Sequence, residues 1–423
     1  METQEQQWGQ LIKYTRQQQK LKQDDVAFGI CTPSYLSRIE NGVVIAEYAL
    51  YELLFERLGI NLTETMQSEI DSLHKYEVIY EKLLSNEALF EEEINVIETY
   101  NESFQLFEHQ LIAKLIYSRY LLSIKADQQA RSFLNEVTPF ISFKNDRNTT
   151  LYLAITAFAH LSFFEFEELA AREDKSFHTQ LMVQVSAFEQ ANYHYHLAFA
   201  YHRSYQMQKA LDQIEKAARQ MQYLYKPLFQ LKLYSMKGVI FNDLHRFHDA
   251  LREYEAGLNL LDNVASIQTP FQYSSLHNNI AYCYECQRDF ERACHHYARA
   301  QHYEEDLHAV INWMRASYQL GDFTQLQTLL ETYEASLFSI PHHVYQRALL
   351  SYACDETQTI AGLKQLEEQA FSHFEQQHYY ALTLFYAPLW ARFYEKLHAY
   401  KQASHCYQLA LHASEKIRER MSS

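Results

Sequence analysis

Hydrophobic residues recur at the three- and four-residue spacing of a helix face through most of this chain. Residues 48–58 hold four leucines at this spacing, and Gly59 follows them as a helix stop. A broken apolar stripe continues through residues 61–84, which predicts one connecting helix there. Only 8 Gly and 6 Pro occur among the 423 residues, so turns should be scarce and the fold all-α.

A tight turn at residues 29–31 separates two short predicted helices near the start of the chain. The first covers residues 23–28. Thr32 can cap the second with its hydroxyl, and Pro33 suits the first helical position, where a missing N–H costs nothing. Gly42 ends this second helix. The pattern predicts a helix-turn-helix motif.

The second helix of this motif has an apolar and a polar face. Leu36 and Ile39 point toward a core, which leaves Ser34, Ser37 and Arg38 on the outer face. A recognition helix presents such short polar groups and guanidinium groups to base edges in a major groove. These three residues are therefore predicted to read bases.

Twelve positions carry a further pattern, and they are Arg16, Gln23, Val26, Ala27, Tyr35, Leu36, Ser37, Arg38, Ile39, Glu40, Asn41 and Gly42. Over about residues 8–60 the pattern resembles the DNA-binding domain of the Cro/repressor type. The resemblance implies that Gln23 and Thr32 hold phosphates and that Arg16 and Glu40 form a buried structural ion pair. The short turn is similar to that of the RRNPP family of peptide-regulated transcription factors. A helical bundle without a DNA role is the alternative.

The resemblance implies a dimer on a palindromic operator in double-stranded DNA. The predicted DNA-binding residues are Gln23, Thr32, Ser34, Tyr35, Ser37 and Arg38. The first 60 residues hold six basic and eight acidic side chains, a net charge of about −2. Because phosphate neutralisation supplies most non-specific affinity, this domain should bind DNA weakly by itself and depend on dimerisation.

From about residue 100 the chain repeats a pattern of small residues and large aromatic residues. The pattern resembles the tetratricopeptide repeat, in which small residues lie where paired helices cross and aromatics fill the space between pairs. Ala210, Ala250 and Ala293 are 40 and 43 positions apart, longer than the usual 34, so helices or loops should be extended. The predicted fold is a helix-turn-helix bundle in residues 1–60 followed by a right-handed α-solenoid of tetratricopeptide-like helix pairs in residues 85–423.

A solenoid of paired helices curls so that its first helices line a concave channel for peptides or partner helices. Asparagine suits such a channel because its amide both donates and accepts. The RRNPP resemblance implies that Asn242, Asn278 and Arg203 contact a peptide, although each could equally be a solvated polar position. The predicted channel residues are Asn192, His202, Arg203, Asn242, Asn278 and Asn279.

The sequence offers little for catalysis or metal binding. The eight glycines lie at least 13 positions apart, which excludes the glycine-rich loops that cradle phosphates. Cys283 and Cys286 form a Cys-x-x-Cys pair with Cys294, His295 and His296 nearby, but they fall within a helical repeat that lacks the turn of a zinc knuckle. We therefore predict no enzymatic activity, no cofactor and no metal.

Composition also indicates a cellular location. The six cysteines are scattered, no secretory signal begins the chain, and no apolar run approaches the ~20 residues that span a membrane. A cytoplasmic protein is expected. The net charge of −16 argues against a chain that binds nucleic acid along its whole length.

Two functions fit these features. The first is a quorum-sensing-type transcription regulator, a homodimer whose channel binds a short signalling peptide. The second is a protein-binding module that sequesters a response regulator or promotes its dephosphorylation, as repeat proteins of the RRNPP family do. The complete motif in residues 23–42 favours the first function, and an acidic face on the N-terminal domain would favour the second.

Overall fold

The structure is a computed structural model that describes residues 4–60, 62–99, 104, 107–141, 147–172, 185–354 and 359–422. Within these ranges every regular element is a helix, which confirms the all-α prediction. The chain divides into two compact units, Met1–His196 and Leu197–Ser423. None of the described helices is long and apolar enough to cross a membrane.

The first unit begins with four short helices around one core, and longer helices follow. These are α1 (Gln4–Gln18), α2 (Gln23–Ala27), α3 (Pro33–Glu40), α4 (Tyr48–Arg57), α5 (Leu62–Ser85), α6 (Glu91–Glu98), α7 (Phe107–Ser123), α8 (Asp127–Val137), α9 (Arg147–Ser162), α10 (Phe166–Arg172) and α11 (Ala187–Arg203), which contains the boundary between the units. Helix α5 covers most of the stretch predicted to connect two domains, whose first residue lies outside the described ranges.

The core of α1–α4 follows the predicted helix faces. Val26, Ala27, Leu36 and Ile39 are completely buried there, as their spacing predicts. Helix α1 crosses α3 at Gly9, where a Cβ atom would lie 2.1 Å from the Ile39 carbonyl oxygen. A residue with a side chain at this position would push α3 away from α1, so the glycine sets how closely these helices pack.

The second unit consists of helix pairs that follow one another along the chain. After the end of α11 these are α12 (Met207–Gln220), α13 (Pro227–Asp243), α14 (Phe247–Asn263), α15 (Pro270–Cys286), α16 (Phe290–Tyr303), α17 (Leu307–Leu320), α18 (Phe323–Thr332), α19 (Pro341–Ala353), α20 (Ile360–Gln376), α21 (Tyr380–Lys396) and α22 (Tyr400–Ser422). This succession confirms the predicted array of helix pairs.

The small and aromatic residues of the repeat meet inside a pair. A Cβ atom at Gly238 of α13 would lie 2.3 Å from the ring of Tyr254, which α14 contributes. In the next pair, Ala281 and Tyr297 are fully buried in one cluster. The aromatic ring therefore packs against the small residue of its own pair, and Tyr297 shares its cluster with Ala316 of the next pair, as expected for a ring between pairs.

Eight turns between consecutive helices share one geometry: a single residue takes a left-handed conformation, and the next helix begins two residues later. These residues, with φ from 56° to 81°, are Lys125, Phe164, Tyr205, His245, Arg288, Gly321, His378 and His398. A non-glycine residue adopts this conformation at a cost of roughly 1–2 kcal/mol, which the packing of the flanking helices must offset. The expectation that few glycines mean few turns is therefore wrong.

Candidate DNA-binding and peptide-binding sites

Helix α3 begins as the sequence predicts. The Thr32 hydroxyl accepts a hydrogen bond from the Tyr35 backbone N–H at 3.2 Å, and Pro33 occupies the first helical position. Ser34 and Arg38 are exposed on this helix, and Ser37 is half-buried beside them. The structure therefore brings the three predicted base-reading residues to one accessible face, with Tyr35 half-buried at its edge.

A buried carboxylate holds α3 in place. Glu40 is 1% exposed and binds Arg16 twice, from Nε at 2.6 Å and from Nη2 at 2.8 Å. The hydrogen bond to Glu40 raises the pKa of Arg16, so the guanidinium stays charged. The ion pair that the resemblance implied is present, and it links α1 to the end of α3.

Gln23 belongs to the same network. Its Nε2 donates to Glu40 Oε2 at 2.7 Å, so one of the two amide donors that a phosphate contact would use is already engaged. Asp25, two residues further, accepts from the Lys22 backbone N–H at 2.8 Å at the start of α2. The N-terminus of α2 thus carries acidic side chains, which favour the helix and oppose a phosphate.

Two of the predicted channel asparagines lie on the first helices of successive pairs in the second unit. Asn242 is 2% exposed and its Nδ2 donates to Cys286 Sγ at 3.4 Å. Within the described part of the chain its Oδ1 has no hydrogen-bond partner, which is unusual for a buried acceptor. Asn278 accepts from Asn312 Nδ2 at 3.1 Å.

The other predicted channel residues have different surroundings. His202 Nε2 lies 2.8 Å from Asp243 Oδ2, and Asn279 is half-buried. Arg203 is exposed, and its guanidinium carbon lies 5.7 Å from the centre of the Tyr379 ring. In the first unit, Asn192 donates to the Phe188 carbonyl of its own helix at 3.0 Å.

Sequence reading missed two polar residues in line with Asn278. Asn312 and Gln346 follow it at intervals of 34 positions, the period of a tetratricopeptide repeat, and both are buried. The Tyr386 hydroxyl donates to Gln346 Oε1 at 3.4 Å. The 34-residue period is the sequence signal that identifies them. The 40- and 43-residue spacing of the alanines does not lead to these positions.

The cysteines and histidines of the second unit do not form a metal centre within the described ranges. Burial raises the pKa of Cys286 and raises that of Cys283 to about 12, so both thiols stay protonated. His277 and His296 face each other with their Nδ1 atoms 3.1 Å apart, and burial lowers the pKa of each to about 4. Both imidazoles are thus neutral at physiological pH.

Comparison with known proteins agrees with this arrangement. The helix-turn-helix family model matches residues 12–64. The transcriptional activator NprA of Geobacillus stearothermophilus is 24% identical over 420 residues, covering 91% of this chain and 98% of NprA.

Three solved structures share the fold. NprR in complex with its cognate peptide NprX has a TM-score of 0.58 at 15% identity, covering 81% of this chain and 98% of that one. The apo form of the quorum sensor NprR from B. thuringiensis has a TM-score of 0.63 at 14% identity, covering 82% of this chain and 99% of that one. A Rap protein complexed with Competence and Sporulation Factor has 0.66 at 11%, covering 84% and 99%. The chain is thus similar to a transcriptional activator over most of its length, contains a helix-turn-helix and shares the fold of NprR and a Rap protein.

Proposed function

We propose that this protein is a cytoplasmic, quorum-sensing-type regulator that binds a palindromic operator as a homodimer and is controlled by a short signalling peptide in its repeat array. The observation that carries the proposal is the capped helix α3, which exposes Ser34 and Arg38 and is fixed by the buried Arg16–Glu40 pair. The peptide complex of NprR, which shares the fold, supports the ligand class.

On the operator, Ser34, Ser37 and Arg38 read bases while Thr32 and the free donor of Gln23 contact phosphates. Tyr35 packs at the edge of this surface. In a dimer the two copies of α3 should meet half-sites about 34 Å apart, or a multiple of that distance. The acidic charge of the domain makes the second copy necessary for useful affinity.

The last helix offers a surface for that dimer. Tyr400, Tyr407 and Leu411 of α22 are 64%, 42% and 58% exposed, and they line a shallow groove of about 350 Å³. The end of a helical repeat array usually presents a polar outer face, because apolar groups left there would associate. A second copy that covers these three side chains would place two chains, each with a helix-turn-helix, in one dimer.

Footprinting with variants of α3 tests the DNA site. Arg38→Ala should lose roughly 1–3 kcal/mol of discrimination at one base pair, as expected for a bidentate contact to guanine. Arg57→Ala is the matched control, because Arg57 is an exposed arginine of the same domain outside α3. An unprotected operator, or equal losses for the two variants, would contradict the assignment.

Calorimetric titration tests the peptide site. We propose that Asn242 and Asn278 pair with the peptide backbone, since the buried Oδ1 of Asn242 has no donor among the described residues, and that Arg203, His202 and Asn279 contact its side chains. A peptide encoded beside the gene should bind wild type and Asn263→Ala, an exposed control, but not the double variant Asn242→Ala with Asn278→Ala. Equal binding by all three would make the asparagines structural.

A protein-binding module for a response regulator is the second candidate. The Rap complex gives a TM-score of 0.66, higher than the 0.58 of the NprR complex. A phosphorylated response regulator that binds the full chain, with no operator retained in a gel-shift assay, would favour this function over DNA binding.

A further inference from the structure

Two turns of the second unit that are far apart in sequence touch each other. The hydroxyl of Tyr205, in the turn between α11 and α12, donates to the His378 carbonyl at 3.1 Å across 173 positions. Its ring lies 5.9 Å from that of Tyr380. Neighbouring Arg203 lies over Tyr379.

The last helix reinforces the same contact. Arg420 of α22 lies 3.2 Å from His378 Nδ1, measured from Nη2, and its guanidinium carbon is 5.4 Å from the Tyr380 ring centre. His378 and Tyr380 stack with an angle of 10° between their rings. We call this set the edge contact, and its members are Arg203, Tyr205, His378, Tyr379, Tyr380 and Arg420.

The helices between the two turns surround polar side chains that a ligand would have to reach. Asn242, Asn278 and Asn312 are 2%, 9% and 6% exposed. Helices that are not neighbours in sequence also meet there, because Arg315 of α17 lies 6.0 Å from the ring of Phe385 in α21. With the edge contact formed, these side chains have almost no accessible surface.

We propose that the edge contact is an autoinhibitory closure that must open before a peptide reaches the asparagines, an inference that rests on the proposed peptide function. Small rotations between neighbouring pairs accumulate along a repeat array, so releasing its two edges would separate the walls around Asn242. The contact combines two hydrogen bonds, both to His378, with aromatic and cation–π pairs, a modest set that can open and close.

Cys286 reports on this opening without any ligand. Its thiol is half-buried beside Asn242, whereas Cys406 lies fully buried in the core of α21 and α22. The experiment measures iodoacetamide labelling of both thiols in the full chain, resolved by tandem mass spectrometry. Their rate ratio separates opening at the asparagines from general loosening of the fold.

Tyr205→Ala should raise the Cys286-to-Cys406 labelling ratio about tenfold, and Tyr205→Phe should raise it less, because only the hydroxyl is lost. His245→Ala is the matched control. His245 occupies the same left-handed turn position in the next pair and is exposed. An unchanged ratio in Tyr205→Ala, or an equal rise in His245→Ala, would overturn the inference.

A second measurement links the closure to the ligand. Stopped-flow mixing with the peptide from the calorimetric titration should show faster association for Tyr205→Ala than for wild type. If no peptide binds either protein, the proposed peptide function fails while the labelling result still decides whether the edge contact closes the unit. If peptide binds both at the same rate, the closure does not limit access.

Discussion

Arg119 and Arg315 occupy the same place in two helix pairs, six residues before the left-handed turn residues Lys125 and Gly321. Both side chains are buried, at 3% and 7% exposure. Arg315 binds both oxygens of Glu285, at 2.6 and 2.9 Å. Burial lowers the pKa of Arg315, but the carboxylate outweighs burial and holds that pKa well above its ordinary value.

Arg119 has no carboxylate partner among the described residues. Its Nη2 donates to the Leu83 carbonyl at 3.0 Å and its guanidinium carbon lies 3.6 Å from the centre of the Phe158 ring, while Nε and Nη1 have no hydrogen-bond partner in the described ranges. Burial lowers the pKa of Arg119 to about 10, so it remains charged at pH 7. The position in the repeat thus determines the direction of the arginine side chain. Whether a carboxylate pairs with it depends on a neighbouring helix.

Removing Arg315 should produce the largest loss of stability. Arg315→Met leaves Glu285 buried without its cation, which we expect to cost about 3–5 kcal/mol in urea unfolding of the full chain. The surface variant Arg252→Met, at a residue whose side chain is 60% exposed, should stay within about 0.5 kcal/mol of wild type. The double variant Arg315→Met with Glu285→Gln should recover part of the loss. A loss as small as that of Arg252→Met would contradict the assigned role of the pair.

Acid should cause the next largest loss of stability, in the second unit. Several histidines there are buried in their neutral form, which the folded chain tolerates without a counter-charge. Burial lowers the pKa of His277, His296 and His343 to about 4, against an ordinary value of 6.5. Between pH 6.5 and pH 4 these histidines bind protons in the unfolded chain but not in the folded chain. Their contribution to the free energy of unfolding is therefore fully present above pH 6.5 and decreases as the pH falls toward 4.

Unfolding midpoints measured from pH 7.5 to pH 4.5 check this expectation. His277→Phe should lose less stability over this range than wild type, because one of the buried bases is gone. An identical pH dependence in the two proteins would show that His277 is already protonated in the fold or is not buried in solution.

Arg119→Met should change stability much less than Arg315→Met. It removes a buried charge for which the described part of the chain supplies no carboxylate, and replacing such a charge by an apolar side chain of similar size is often neutral or stabilising. The lost cation–π contact with Phe158 works in the opposite direction. We expect urea unfolding within about 1 kcal/mol of wild type, and a loss near that of Arg315→Met would show that an anion pairs with Arg119 in solution.

The smallest expected change in stability concerns the left-handed residues of two turns. Arg288 adopts φ 63° where the next pair has Gly321 at φ 81°. Arg288→Gly should therefore raise stability by about 0.5–1 kcal/mol, and Gly321→Ala should lower it by a similar amount. Thermal unfolding of the two variants measures the difference, and effects of the same sign would contradict the role of backbone strain.

Local spacing was enough to predict the candidate DNA-binding site. The cap at Thr32, the proline after it and the buried positions Leu36 and Ile39 all lie within eight residues of one another, and the structure confirms each. The site in the repeat array was predicted less completely. The helix faces of Asn242 and Asn278 follow from periodicity. Asn312 and Gln346 do not follow from the 40- and 43-residue spacing of the alanines, because they recur at 34 residues.

The sequence alone determined the elements of this protein: the all-α class, the helix-turn-helix, and the array of helix pairs. Helix periodicity and caps are properties of neighbouring residues, which is why these features can be read directly. Only the tertiary structure decided which buried side chains have partners. Other helices supply the carboxylate that Arg315 binds and, 173 positions away, the carbonyl that Tyr205 binds. Among the described residues none supplies a donor to the Oδ1 of Asn242. Helix spacing specifies the direction of a side chain, and the packing of distant helices specifies what it meets there.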